Sequence, residues 1–222
     1  MKIFRLLFLI LPFFASCATA KTQSKPQPHI SKLRTSTPTI IIDAGHGGLD
    51  LGTRCRPPYC EEKRVALATA LLARRYLDQL GYKVILTRST DAFIPLKKRV
   101  QTANRSRAEL FVSIHYNAST NTGAHGIEIF YSDAKKDTRS RESKKLAGSI
   151  LKDVVQRTKA RDRGIKRGNF HVIRETKMPA VLLEGGFITN QNERNRLKDQ
   201  KYLDKIARGI ANGIDKYFKA HS

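Results

Sequence analysis

Three apolar runs in this 222-residue chain each end in a side chain that can bind a metal or move a proton. Thr39-Ile40-Ile41-Ile42-Asp43-Ala44 leads into Gly45-His46-Gly47-Gly48. Leu110-Phe111-Val112-Ser113-Ile114 ends in His115. Ala180-Val181-Leu182-Leu183 ends in Glu184, followed by Gly185-Gly186. Strands covered on both faces of a parallel sheet read as continuous apolar runs rather than alternating ones. Ligands of such sheets bind beyond the carboxyl ends of the strands. The pattern therefore predicts two imidazoles and a carboxylate gathered at one sheet edge, which is how a catalytic metal site is assembled.

Helical periodicity separates the short runs, the signature of βαβ units. Strands are expected over Thr39–Asp43, Tyr82–Arg88, Leu110–His115, Gly126–Tyr131, Phe170–Arg174 and Ala180–Leu183. Helices are expected over Glu61–Leu80, after Pro95, over Glu142–Lys159 and over Tyr202–Phe218. The fold class this implies is a single α/β domain, a mostly parallel twisted sheet of about six strands with helices on both faces.

Residues before Thr39 read differently. Lys2 and Arg5 precede an apolar stretch, Leu6 to Ala15, that is too short to span a bilayer. A signal peptide over residues 1–20, cleaved after Ala18-Thr19-Ala20, is one expectation. Phe14-Ala15-Ser16-Cys17 is similar to a lipobox and gives the other, a lipid anchor on Cys17. Residues 21–38 are rich in Ser, Thr, Pro and Lys and contain no acid, so they read as a flexible basic tether to a domain over residues 39–222. Both processing routes export the chain, to the periplasm or to a membrane surface facing it.

Charge narrows the partners. Lys and Arg number 42 against 19 Asp and Glu, a formal net charge of +23. The excess is spread along the chain and accompanies no groove-reading motif, so nucleic acid is not expected as a partner. Lipid headgroups and acidic cell-wall polymer are the anionic candidates, and a monomer is expected. Cys55 and Cys60 flank Arg56-Pro57-Pro58-Tyr59. In an oxidising compartment they are expected to form a small disulfide, with free thiols or zinc ligation as the alternatives.

Catalytic zinc commonly takes three protein ligands, two His and one Glu being a recurring set, and keeps a position for water. His46 and His115 supply the imidazoles. Glu61 and Glu62 open the first helix, where a carboxylate is favoured with or without a metal. Glu184 is harder to explain without a task, because a carboxylate directly after Leu182-Leu183 is costly in a core unless paired.

Four motifs occur in order: Asp43-Ala44-Gly45-His46-Gly47-Gly48, Glu62-Lys63 before an apolar helix, Ser113-Ile114-His115-Tyr116-Asn117, and Pro179 to Asn190 around Glu184. Together they resemble the zinc-dependent N-acetylmuramoyl-L-alanine amidases that cleave peptidoglycan, over about Thr39 to Phe218. The resemblance implies His46, Glu62 and His115 as ligands of one Zn²⁺ and Glu184 as the catalytic glutamate. Glu62 is preferred to Glu61 because the family pattern places Glu directly before Lys. Asp43 and Asn117 are expected to orient the ligands. Gly185 stands where a Thr is frequent, and the Cys55–Cys60 loop is not a general feature of the family.

Other features receive lesser expectations. His29 and His221 lie outside the patterned core, His125 sits in a turn, and His171 falls in an expected strand. Arg88 and Arg105 are candidates for contacts to muropeptide carboxylates. Ser149-Ile150-Leu151-Lys152 matches S-x-x-K and Ser119-Thr120-Asn121 matches S-x-N, the elements of penicillin-binding serine carboxypeptidases, although in reversed order. A wall-binding lipoprotein without catalysis would require a lost ligand or base, and none is lost. The connection from Ser132 to Arg141 is too short for a docked inhibitory helix, which predicts an open site that needs no activating partner.

Overall fold

The computed structural model describes Met1 and residues 37–221. The expected signal peptide, the lipobox ending at Cys17 and nearly all of the tether lie outside the described residues.

The first apolar run forms β1 (Thr39–Ala44), the second β5 (Leu110–Asn117) and the third β8 (Ala180–Phe187). With β4 (Lys83–Leu86), β6 (Ile127–Tyr131) and β7 (Asp162–Arg167) they make a six-stranded sheet in the order β4-β1-β5-β8-β6-β7. Neighbours are parallel except β6 with β8, so β6 and β7 run against the other four. A two-stranded hairpin, β2 (Arg54–Cys55) and β3 (Cys60–Glu61), precedes the first helix.

Alternation along the strands assigns each side chain to one of two layers. Ile40 and Ile42, Val112 and Ile114, and Val181 and Leu183 pack in one core with α1 (Glu62–Gln79), α3 (Thr138–Thr158) and α6 (Gln200–Lys219). Ile41, Phe111, Ala180 and Leu182 pack on the opposite side with Val100 of α2 (Leu96–Arg105) and Val172 and Ile173 of α4 (His171–Glu175). By the same alternation Asp43, Ser113, His115, Glu184 and Glu128 all belong to this second face. Glu184 stands directly beside His115 in the β5–β8 register and beside Glu128 in the β8–β6 register. A thinner helical layer on that face is what leaves polar strand ends free for chemistry.

The fold class is as expected, with local corrections. Phe170–Arg174 is not a strand: His171–Glu175 is the short helix α4. Its β-branched Val172 and Ile173 mimic a strand, yet they are buried as a single helical turn against the second core. The strand of this region is β7, earlier in the chain. It escapes a hydropathy search because it is a sheet edge, with Ile165 its sole apolar side chain among Asp162-Arg163-Gly164-Ile165-Lys166-Arg167. Helix α3 starts at Thr138, not Glu142, because the Asp137 side chain caps it by accepting from the Ser140 N–H at 2.9 Å. Only residues 132–137 therefore connect β6 to α3, and no inserted helix lies there. Helix α5 (Gln191–Leu197) was not expected, although Asn190 at the cap and Glu193 three residues later announce it, and the Asn190 side chain does accept from the Glu193 N–H.

Candidate metal centre

The chain leaves β1 in a conformation most residues avoid. His46 has φ +57°, and Gly47 and Gly48 follow at +127° and +59°. Such a turn exposes carbonyls that need donors, and two buried arginines supply them. Arg88 Nε donates to the Ala44 carbonyl (3.0 Å) and its Nη2 to those of Gly45 (2.6 Å) and Lys63 (2.8 Å). Arg99 Nη1 donates to the Ala44 carbonyl (2.5 Å) and Nη2 to that of His46 (2.7 Å). Arg99 is held in turn by Asp43, whose carboxylate accepts from its Nη1 at 2.8 Å and from Ser113 and Thr87 hydroxyls at 2.7 and 2.6 Å. Asp43 thus acts on the His46 loop through Arg99, not on a ligand directly. Arg88, 4% exposed, is part of this clamp and not a surface group for muropeptide carboxylates.

Glu62 is the first residue of α1 and is locked from both ends of its carboxylate. Oε2 accepts from the Thr53 N–H at 2.9 Å, and Oε1 accepts from the Tyr116 N–H at 3.1 Å. Oε1 also lies 2.9 Å from His46 Nε2 and 2.9 Å from His115 Nδ1. The ligand atoms of His46, Glu62 and His115 all fall within 4.8 Å of one another. His46 Nδ1 meets Asp50 Oδ2 at 2.9 Å, so its Nε2 is the nitrogen turned to the cluster. A carboxylate behind a ligating imidazole is the usual support of a zinc ligand. Asp50 was not singled out in the sequence; its spacing four residues beyond His46 in a Gly-rich turn was the available signal. Gly45 has to be glycine for a steric reason: a Cβ there would lie 2.3 Å from His115 Cε1.

Electrostatics reinforce the grouping. Burial would raise the Glu62 carboxyl, but His115 and His46 hold it well below the usual carboxylate range. Burial disfavours the imidazolium of His46, yet Glu62 and Asp50 raise it overall. Glu184 is the contrary case. Burial, with the Glu62 and Glu128 charges added, pushes its carboxyl well above the ordinary range, and its Oε2 is shielded from solvent without a hydrogen-bond partner among the described residues. Two imidazoles and a carboxylate converging beside an unpartnered buried carboxylate fit a zinc site with an adjacent proton acceptor.

This domain has known counterparts. A family model described as N-acetylmuramoyl-L-alanine amidase matches residues 40–216. The chain belongs to the N-acetylmuramoyl-L-alanine amidase family. Among similar proteins, the sporulation-specific N-acetylmuramoyl-L-alanine amidase of Bacillus subtilis is 37% identical over 181 residues, 81% of this chain and 68% of that one. The crystal structure of an N-acetylmuramoyl-L-alanine amidase from Clostridium difficile 630 superposes with a TM-score of 0.79 at 39% identity, covering 84% of this chain and 99% of that chain. The catalytic domain of CwlV from Bacillus (Paenibacillus) polymyxa var. colistinus gives 0.77 at 41% identity, covering 82% and 99%. Like these relatives, the protein is an amidase.

The remaining expected residues of this amidase fall elsewhere. The Asn117 side chain makes its hydrogen bonds away from the cluster, its Nδ2 donating to Glu128 Oε1 at 2.8 Å and its Oδ1 accepting from the Ala118 N–H at 2.8 Å. Cys55 and Cys60 stand directly opposite each other across the β2–β3 hairpin, both as free thiols, so the expected disulfide is not seen. Burial pushes the Cys60 thiol up, away from the thiolate that sulfur exchange requires. Ser149 and Lys152 lie on α3. The Ser149 hydroxyl donates to the Gly213 carbonyl of α6 at 2.7 Å and Lys152 is exposed, so the S-x-x-K match is a helix-packing contact and not a catalytic pair. His171 opens α4, and His125 Nδ1 lies 2.9 Å from the Gly123 carbonyl.

Proposed function

We propose that this protein hydrolyses the amide joining the lactyl group of N-acetylmuramic acid to L-alanine of the peptidoglycan stem peptide, with one zinc ion held by His46 Nε2, Glu62 Oε1 and His115 Nδ1. The observation that carries the reading is the approach of Glu62 Oε1 to 2.9 Å from both imidazole nitrogens, in a chain of this family. When bound, zinc supplies Lewis acidity, polarising the scissile carbonyl and easing deprotonation of water.

The chain's own groups do the rest. Glu184 takes a proton from the attacking water on its carboxylate and returns one to the departing alanyl amine. A carboxyl held above its ordinary range is suited to both transfers near neutrality. Glu62 stays ionised, because the two imidazoles and two backbone N–H groups favour its charged form. The Asp43–Arg99–Arg88 clamp keeps His46 in its left-handed turn, so the imidazole is positioned before substrate arrives.

The same reading extends to location and control. Residues 1–20 direct export to the periplasm, with release after Ala20 or a lipid anchor on Cys17, and the basic surface holds the monomer near an anionic wall without engaging nucleic acid. No helix among the described residues is long and apolar enough to cross a membrane. The short β6–α3 connection supports a site open without an activator. Digestion of purified peptidoglycan with the zinc-loaded protein tests the proposal by mass spectrometry. Stem peptides with a free alanyl amine are the expected products. Cleavage only within the glycan or within the peptide would refute it.

A further inference from the structure

We propose that Arg163 and Lys166 form a carboxylate-binding subsite that orients the stem peptide, the leaving half of the scissile amide; the proposal rests on the amidase reading above. Both cations come from the edge strand β7 and converge on one oxygen of Glu128. Arg163 Nε donates to Oε2 at 2.7 Å and Lys166 Nζ at 2.6 Å. The other oxygen is already taken by Asn117 Nδ2 at 2.8 Å. Glu128 has a side chain only 5% exposed, whereas Arg163 and Lys166 are 26% and 40% exposed. One cation suffices to neutralise Glu128. Two leave a surplus positive charge open to solvent on the face that carries Glu184.

The surplus is held in place. The Arg163 guanidinium lies 4.8 Å over the Phe187 ring, and Nη1 donates weakly to the His125 carbonyl at 3.3 Å. Nη2 makes no hydrogen bond to a described residue, which leaves donors for an incoming anion. A guanidinium fixed by a stacking ring and one carboxylate is pre-organised to bind a second.

Position selects which anion. Glu128 is beside Glu184 in register, and β7 is the next strand outward. At about 4.8 Å per strand, cations that reach from β7 back to Glu128 stand between roughly 5 and 10 Å from the strand of the catalytic carboxylate. An extended peptide advances about 3.3–3.6 Å per residue, so the subsite is reached by a carboxylate on the second or third residue of the stem. The glycan half of the substrate offers no comparable anion.

The test compares two synthetic muramoyl-peptides that differ only in the second-residue and third-residue carboxylates, free in one and primary amides in the other. The zinc-loaded full chain is expected to favour the free acid by about tenfold or more in kcat/KM, the scale of a charge-assisted hydrogen bond. Arg163→Gln/Lys166→Gln is expected to abolish that preference. A structural role alone would lower both substrates together and leave the ratio intact, which would overturn the proposal. Lys166→Ala, at a partly exposed position, guards against misfolding of the double variant and should lower the ratio part-way. Calorimetric titration of the metal-free protein with the free tripeptide and its amidated form gives a readout independent of turnover. Wild-type cleavage of both substrates without discrimination overturns the subsite alone. No cleavage, together with carboxylate-dependent binding that Lys166→Ala weakens, overturns the amidase reading and leaves the subsite standing.

Discussion

Asp43→Asn is expected to lower the melting temperature of the metal-free protein by about 6–20 °C. Asp43 and Arg99 are 1% and 2% exposed, and their 2.8 Å contact is a buried ion pair. Asparagine preserves the size of the side chain but leaves the Arg99 cation uncompensated, with the buried guanidinium of Arg88 nearby. Its amide nitrogen must also face one of three donors, the Arg99 guanidinium or the Ser113 or Thr87 hydroxyl. Breaking a buried pair from one side costs about 3–5 kcal/mol, and a domain of this size loses about 2–4 °C per kcal/mol. Circular dichroism melts without zinc isolate the effect, since a bound metal would add its own stabilisation. The pH dependence gives a second check. Burial works against the ionised Asp43, but Arg99, Ser113 and Thr87 together hold its carboxyl below the ordinary value. A carboxyl with a lowered folded-state pKa contributes stability above its unfolded pKa of about 3.9 and loses it as pH falls through the folded value. The gap between wild type and variant should therefore stay constant from about pH 7 to pH 5 and narrow below about pH 4. A gap under about 3 °C at pH 7, or one that widens in acid, would refute the clamp as a buried ion pair.

Glu184→Gln is expected to retain stoichiometric zinc and to lose about 10²–10⁴-fold in kcat, the range for a removed proton-transfer group; loss of zinc from this variant would make Glu184 a ligand instead. Gly45→Ala should lower zinc content by displacing the His115 ring, which its Cβ would meet at 2.3 Å, while far-ultraviolet dichroism stays native; normal zinc binding by this variant would show that the ring has room to move. Binding to isolated sacculi should weaken steeply with added salt, because exposed charge is screened within about 8 Å at physiological ionic strength, and salt-independent binding would remove the electrostatic account.

Where sequence and structure agree, the agreement comes from burial. β1, β5 and β8 are covered on both faces, so their residues had to be apolar, and the polar groups at their ends stood out as His46, His115 and Glu184. Glu62 needed more than pattern, because a carboxylate in a first helical turn is ordinary; the family motif separated it from Glu61. β7 was missed for the converse reason. A sheet edge facing solvent has no need of apolar residues, and β-branched Val172 and Ile173 nearby looked more strand-like than the strand itself.

Local sequence thus determined the strands that deliver the two imidazoles and the Glu184 carboxylate, since hydrophobic burial imposes a composition that can be read one segment at a time. Only the tertiary structure decided what surrounds them. Arg99 reaches His46 across 53 residues and Asp43 across 56, Asn117 meets Glu128 in place of a ligand, and Arg163 and Lys166 share the carboxylate beside Glu184. A charged side chain looks the same in sequence whether it is solvated or clamped. Its partner is chosen by which strands lie next to each other, and strand order is a property of the folded sheet.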